Sequence, residues 1–164
     1  MILVTALEGG GHHIEGGNMV PANRVESGEF EDWYTWPEEP FEYESAGPFY
    51  FRVDEQGPVA AFRAQRKHMN AGGSVHGGCL MAFADFSLFA IAHEQLDGEY
   101  GVTVAFTSEF LSGPPEGAYI EARGEVLRSG KNITFVRGLI TGDGKPCLNF
   151  SGTIMRRPKR ARPA

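Results

Sequence analysis

The apolar positions of the chain form one unbroken run flanked by shorter, strand-length ones. Residues 79–92, CLMAFADFSLFAIA, are hydrophobic on every side, with Asp85 and Ser87 as the only polar interruptions. A run of that length, rich in Ala, Leu and Met and nearly free of β-branched residues, predicts a helix rather than a strand. A helix that is apolar all round must be buried all round. It is too short and too interrupted to span a bilayer, which takes roughly 18 or more apolar residues. It is therefore expected as a central core helix, opened by the turn His76-Gly77-Gly78.

Two short runs precede it, residues 48–53 and 59–64, separated by the turn-forming Asp54-Glu55-Gln56-Gly57-Pro58, and they predict a hairpin. Four longer runs follow, at residues 100–111, 118–128, 133–141 and 146–155. The breaks between them are Gly113-Pro114-Pro115-Glu116-Gly117, Ser129-Gly130-Lys131-Asn132 and Gly142-Asp143-Gly144-Lys145. Short connections predict antiparallel pairing of successive strands. The expected order is β-β-α-β-β-β-β, an α+β fold in which one antiparallel sheet wraps one long helix. A single sheet leaves part of an all-apolar helix uncovered, so a second subunit is expected to complete its burial.

Asp85 is the residue that packing does not explain. An ionised carboxylate in apolar surroundings must shift its pKa or find hydrogen-bonding partners. Either it lies on a narrow exposed strip or bonds to a nearby backbone amide, or it is a working group in a site.

Composition narrows the classes. The chain of 164 residues fits one domain, and a formal net charge of −6 argues against nucleic-acid binding. Two cysteines, Cys79 and Cys147, read as small core residues rather than a disulfide framework, which suits a reducing compartment and a cytoplasmic location. Residues 1–18 are expected to be a flexible extension. Their short apolar start lacks a basic leader, and His12 and His13 lack further ligands at metal-binding spacing, so no metal is expected. Residues 19–47 form an acidic, aromatic arm, either packed on the domain surface or closing over a ligand mouth. The domain is expected over residues 48–156. The basic tail, 157–164, is either solvated or directed at anions. His68 and His93 read as surface or loop residues.

At residues 70–85 the pattern becomes specific. Asn70 is followed by His76-Gly77-Gly78, by Asp85 nine residues after the histidine, and by Thr103 eighteen residues beyond Asp85 in the segment Gly101-Val102-Thr103-Val104. This register resembles the PaaI-type acyl-CoA thioesterases of the hotdog fold, over roughly residues 48–156. The resemblance implies hydrolysis of an acyl- or aryl-CoA thioester with no cofactor, coenzyme A being part of the substrate. Asp85 would be general base or nucleophile, and the Gly77 N–H an oxyanion donor at a helix start. Gly78 would allow close substrate approach, Asn70 would orient the carboxylate or leaving thiol, Thr103 would place water, and His76 would shape the turn. Arg128, Lys131 and Asn132 match the place where relatives hold coenzyme A phosphates, although a solvated hairpin tip would read the same way. Phe83, Phe86, Phe89 and Phe106 are core residues or the lining of an acyl pocket.

Spacing adds a geometric condition. Gly77 and Asp85 are about 12 Å apart along a helix, whereas donor and attacking group must meet at one carbonyl. Two antiparallel helices across a two-fold axis satisfy this, so the expected partners are an acyl-CoA and a second copy of the chain, with dimers pairing further. A non-catalytic acyl-CoA-binding module and hotdog-type dehydratase chemistry are the competing readings.

Overall fold

The computed structural model describes residues 22–97 and 99–157. The expected extension at 1–18, with His12 and His13, and residues 158–164 of the basic tail lie outside the described residues. Two short strands, β1 (Asn23–Arg24) and β2 (Tyr34–Thr35), precede the hairpin β3 (Tyr50–Asp54) and β4 (Gly57–Arg63). Helix α1 (Gly77–Ile91) and the short α2 (His93–Leu96) follow. Four long strands complete the chain: β5 (Tyr100–Phe110), β6 (Tyr119–Ser129), β7 (Ile133–Gly142) and β8 (Lys145–Arg157).

Local chemistry sets the turns. Between β7 and β8, Asp143 (φ 48°) and Gly144 (φ 79°) adopt the left-handed pair that a tight two-residue hairpin demands. The Asp143 carboxylate also accepts the Tyr119 N–H at 2.9 Å, tying this turn to the start of β6. Between β3 and β4, the Gln56 N–H donates to Asp54 Oδ1 at 2.9 Å, and Gly57 takes φ 104°.

All pairings are antiparallel and form one sheet in the order β1-β2-β3-β4-β6-β7-β8-β5. One expectation is corrected here. β5 does not pair with β6 but lies at the far edge of the sheet against β8. Its connection to β6 crosses the sheet past the entry to α1, where Pro114 O accepts the Val75 N–H at 2.8 Å and Ser74 bridges Pro115. The two prolines hold this segment extended, so a short connection serves as a crossover instead of a hairpin.

Helix α1 lies in the curve of the sheet. Leu80, Phe83, Ala84, Leu88 and Ile91 are buried against Phe62, Ile120, Val136, Leu148, Phe150 and Ile154. The helix approaches β8 so closely that a side-chain carbon at Gly152 would run into Leu88. Burial is not complete all round within one chain, however. Gly78 and Met81 are exposed, and Ala82, Asp85 and Phe89 are half-buried; with spacings of three and four they make one open strip down the helix.

The acidic arm has little regular structure beyond β1, β2 and a single wide turn at Phe41–Ser45. It is nonetheless built into the fold. Trp36 enters the main core beside Phe51 and Phe86, while Phe30 and Trp33 form a second cluster with Val59 and Ala61 on the other face of the sheet. His68, read as a surface or loop residue, lies in the connection between β4 and α1 but is buried there. Its Nδ1 accepts the Gln65 N–H at 2.9 Å to cap a short turn, and its ring meets Phe62 edge-on. His93 is half-buried at the start of α2, against Phe51. Among the described residues no helix is long and apolar enough to cross a membrane.

Candidate functional site

The open strip of α1 faces β5, and β5 is irregular at that point. Its pairing with β8 shifts by one residue between Thr103 and Ala105, with Val104 left over as a bulge. A bulge bends a strand and re-aims its side chains. Here the Thr103 hydroxyl donates to Asp85 Oδ1 at 2.6 Å. This short bond to an acid favours the ionised form, while burial disfavours it more strongly, so the Asp85 pKa is raised overall.

Asp85 and Thr103 open into a cavity of about 330 Å³. Phe89 of α1 and Tyr100, Gly101 and Val102 of β5 form part of its wall. The rest comes from the arm, as Trp36, Glu39 and Glu42. Sequence reasoning missed the two glutamates, although it had allowed that the arm closes over a mouth. Burial, then the nearby Asp85 charge, then Glu39 push the Glu42 pKa up to about 8. Burial followed by Glu38 raises that of Glu39. Three acids thus share a cavity lined by no cationic side chain among the described residues. Among those residues, too, no group of His, Cys, Asp and Glu is arranged to hold a metal ion.

The turn before α1 sorts its own amides. His76 is the N-cap, and its Nδ1 accepts the Gly78 N–H at 2.9 Å. Gly78 therefore spends its donor inside the turn, while the Gly77 N–H, first in the helix, has no partner among the described residues. The Phe110 ring lies over Gly77, about 3.1 Å from where a Cβ would sit, so the site has little room for a side chain. Asn70 Oδ1 accepts the N–H groups of Gly72 (2.8 Å) and Ser74 (3.2 Å), which commits that oxygen to holding the loop.

Arg128, Lys131 and Asn132 are exposed at the β6–β7 hairpin and do not line the Asp85 cavity. The cation most firmly placed at this hairpin is Arg156, which donates to Ser129 Oγ at 2.8 Å and Glu99 Oε2 at 3.0 Å. Phe83 and Phe86 are core, Phe89 lines the cavity, and Phe106 is half-buried beside the core. A larger hollow of about 500 Å³ lies on the outer sheet face, but its Arg123 and Arg137 are paired with carboxylates and no reactive group meets there.

Comparison with known proteins agrees with the fold. A family model described as "Thioesterase superfamily" matches residues 72–146, the stretch from the turn before α1 to the start of β8. A Pseudomonas aeruginosa protein named "Putative esterase PA0474" is 35% identical over 110 residues, which covers 66% of this chain and 82% of that protein. A variant of the phenylacetic acid degradation protein PaaI from Thermus thermophilus is 25% identical with a TM-score of 0.61, over 73% of this chain and 100% of that one. A Streptococcus pneumoniae thioesterase protein solved with coenzyme A shares the fold at 19% identity and a TM-score of 0.58, over 69% of this chain and 91% of that one.

Proposed function

The chain belongs to the thioesterase superfamily, with a hotdog fold and a PaaI-like pattern, and from that premise we propose that it hydrolyses acyl- or aryl-CoA thioesters to the free acid and coenzyme A. The observation that carries this reading is the Asp85–Thr103 pair, a half-buried carboxylate aimed by a 2.6 Å hydrogen bond into a cavity of about 330 Å³.

With Oδ1 held by Thr103, the other Asp85 oxygen serves as the base that takes a proton from water as its oxygen attacks the thioester carbon. The negative charge that develops on the carbonyl oxygen needs a donor, and the unpaired Gly77 N–H at the helix start supplies one where the helix dipole is positive. Within one chain these groups stand about 12 Å apart along α1. A second copy closes the gap by laying its α1 antiparallel along the open strip. The surface suits that partner, because among the described residues β5 ends the sheet with an unpaired edge, and Met81, Val104 and Phe110 are exposed beside it. Each dimer then holds two sites, each built from Asp85 of one copy and Gly77 of the other, and dimers pair further. In this reading Arg128 and Lys131, exposed at the β6–β7 hairpin, are the cations offered to the coenzyme A phosphates.

The test is thiol release from a panel of short, medium, long and aryl acyl-CoAs. At least one ester is expected to turn over, with Asp85→Asn slower by about 10² or more while still folded. Release from none of them, alongside measurable binding of the same esters, would replace the hydrolase with a non-catalytic acyl-CoA-binding module.

A further inference from the structure

The Asp85 cavity contains one feature that the hydrolase reading leaves unused, namely the wall supplied by the arm. Glu42 reaches the cavity from the wide turn at Phe41–Ser45 and has no hydrogen-bond donor among the described residues, whereas Asp85 has the Thr103 hydroxyl. Two carboxyls in one part-closed cavity do not ionise together readily, and the one without a donor keeps the proton. The titratable groups facing Glu42 are Asp85 from α1, Glu39 from the arm and Tyr100 from β5, and no lysine, arginine or histidine among the described residues lines the cavity. Nothing among them favours an ionised Glu42.

A second unpaired polar group lies on this wall. Trp36 lines the same cavity at 5% exposure, and its indole N–H is buried with no partner among the described residues. Folded proteins rarely leave such a donor unpaired. A polar atom of a substrate bound between the arm and Asp85 would satisfy it.

Resting on the hydrolase reading above, we propose that Glu42 is the proton donor to the departing coenzyme A sulfur, the acid that works beside the basic Asp85. Water gives one proton to Asp85 and its oxygen bonds to the thioester carbon. The tetrahedral intermediate then collapses, the C–S bond breaks, and the sulfur takes the Glu42 proton to leave as a neutral thiol. Asp85 passes its proton to the ionised Glu42, and the product acid releases its own proton to solvent. Each turnover thus restores both carboxyls to their starting states.

The test compares leaving groups. Wild-type protein and Glu42→Gln, which is neutral and close in shape but has no carboxyl proton, are assayed with the preferred acyl-CoA and with the same acyl group on an activated aryl thiol. The aryl thiolate is stable enough to leave unprotonated. The variant is expected to lose about 10² in kcat on the acyl-CoA, with KM nearly unchanged and the aryl thioester hydrolysed at close to the wild-type rate. Equal slowing on both esters, or no slowing on the acyl-CoA, overturns the donor role. Should the variant not fold, the wild-type pH profile decides the matter. Acyl-CoA turnover is expected to fall above about pH 8 while aryl thioester turnover does not, and parallel profiles overturn the proposal. If wild type hydrolyses neither ester, the hydrolase reading falls and takes the proposal with it.

Discussion

Acids on the outer face of the sheet and acids in the Asp85 cavity live under opposite rules. Outside, Arg123 grips Asp54 with both terminal nitrogens, at 2.6 and 3.0 Å, and holds Glu121 through Nε at 2.8 Å; Arg137 pairs with Glu125. Hydrogen bonding to Arg123 lowers the Asp54 pKa to about 2. In the cavity, Asp85, Glu39 and Glu42 have no cation among the described residues, and burial raises all three. The outer charges are part-exposed and each carboxylate is paired with an arginine. Acids left unpaired in a cavity are poised to exchange protons, which is what hydrolysis requires.

The largest effect that would sharpen this contrast falls on the donor that stands in for a cation. Gly77→Pro removes one N–H at a helix position that tolerates proline, and it is expected to cut kcat by about 10² to 10³. Gly77→Ala meets the same Phe110 ring but keeps the N–H, so it is expected to lose far less; equal losses would show that crowding, and not the donor, matters. Next comes Thr103→Val, which keeps the shape but removes the 2.6 Å bond to Asp85. It is expected to lower kcat/KM by about tenfold, the worth of one hydrogen bond to a charged group, and to move the acid limb of the pH–rate profile upward.

Stability should separate the two regions by sign. Glu42 has a folded pKa of about 8, above its ordinary 4.5, so its contribution to stability is lost as pH rises across that interval. Glu42→Gln is therefore expected to melt higher than wild type at pH 8.5 and to match it near pH 4.5. Asp54 behaves oppositely. Its pKa is depressed from 3.8 to about 2, so the stability it brings is present above pH 3.8 and lost as pH falls towards 2. The smallest effect is that of Asp54→Asn at neutral pH, about 1 kcal/mol for a part-exposed ion pair, read from a denaturant midpoint.

The same contrast explains what could be read from the sequence. The strands and α1 were legible to within a few residues, because strand-length runs, turn residues such as Asp143-Gly144 between them, and an all-apolar run leave local marks. Asp85 and Thr103 were both marked by the register of the family resemblance, but Thr103 was read as placing water, and neither its hydrogen bond to Asp85 nor the bulge that aims it was legible. The edge position of β5 was not, since connection length is local while the bonds that divert residues 111–118 past Ser74 and Val75 are tertiary. Glu42 was hidden for a similar reason. Charge-rich stretches read as solvated, and only the packing of Trp36 against Phe51 and Phe86 draws the arm over the cavity. An aromatic residue within helical reach of several acids was the one available signal. His68 carried none, its burial following from a cap that three residues of turn create.

The most direct measurement sets the two regions side by side: kcat/KM on the best acyl-CoA, together with the melting temperature, for Asp85→Asn and Asp54→Asn. Asp85→Asn is expected to lose about 10² or more in kcat/KM without losing stability, and Asp54→Asn to keep full activity while melting lower. An active Asp85→Asn, or a folded Asp54→Asn as impaired as Asp85→Asn, would contradict the assignment of catalysis to the unpaired acids.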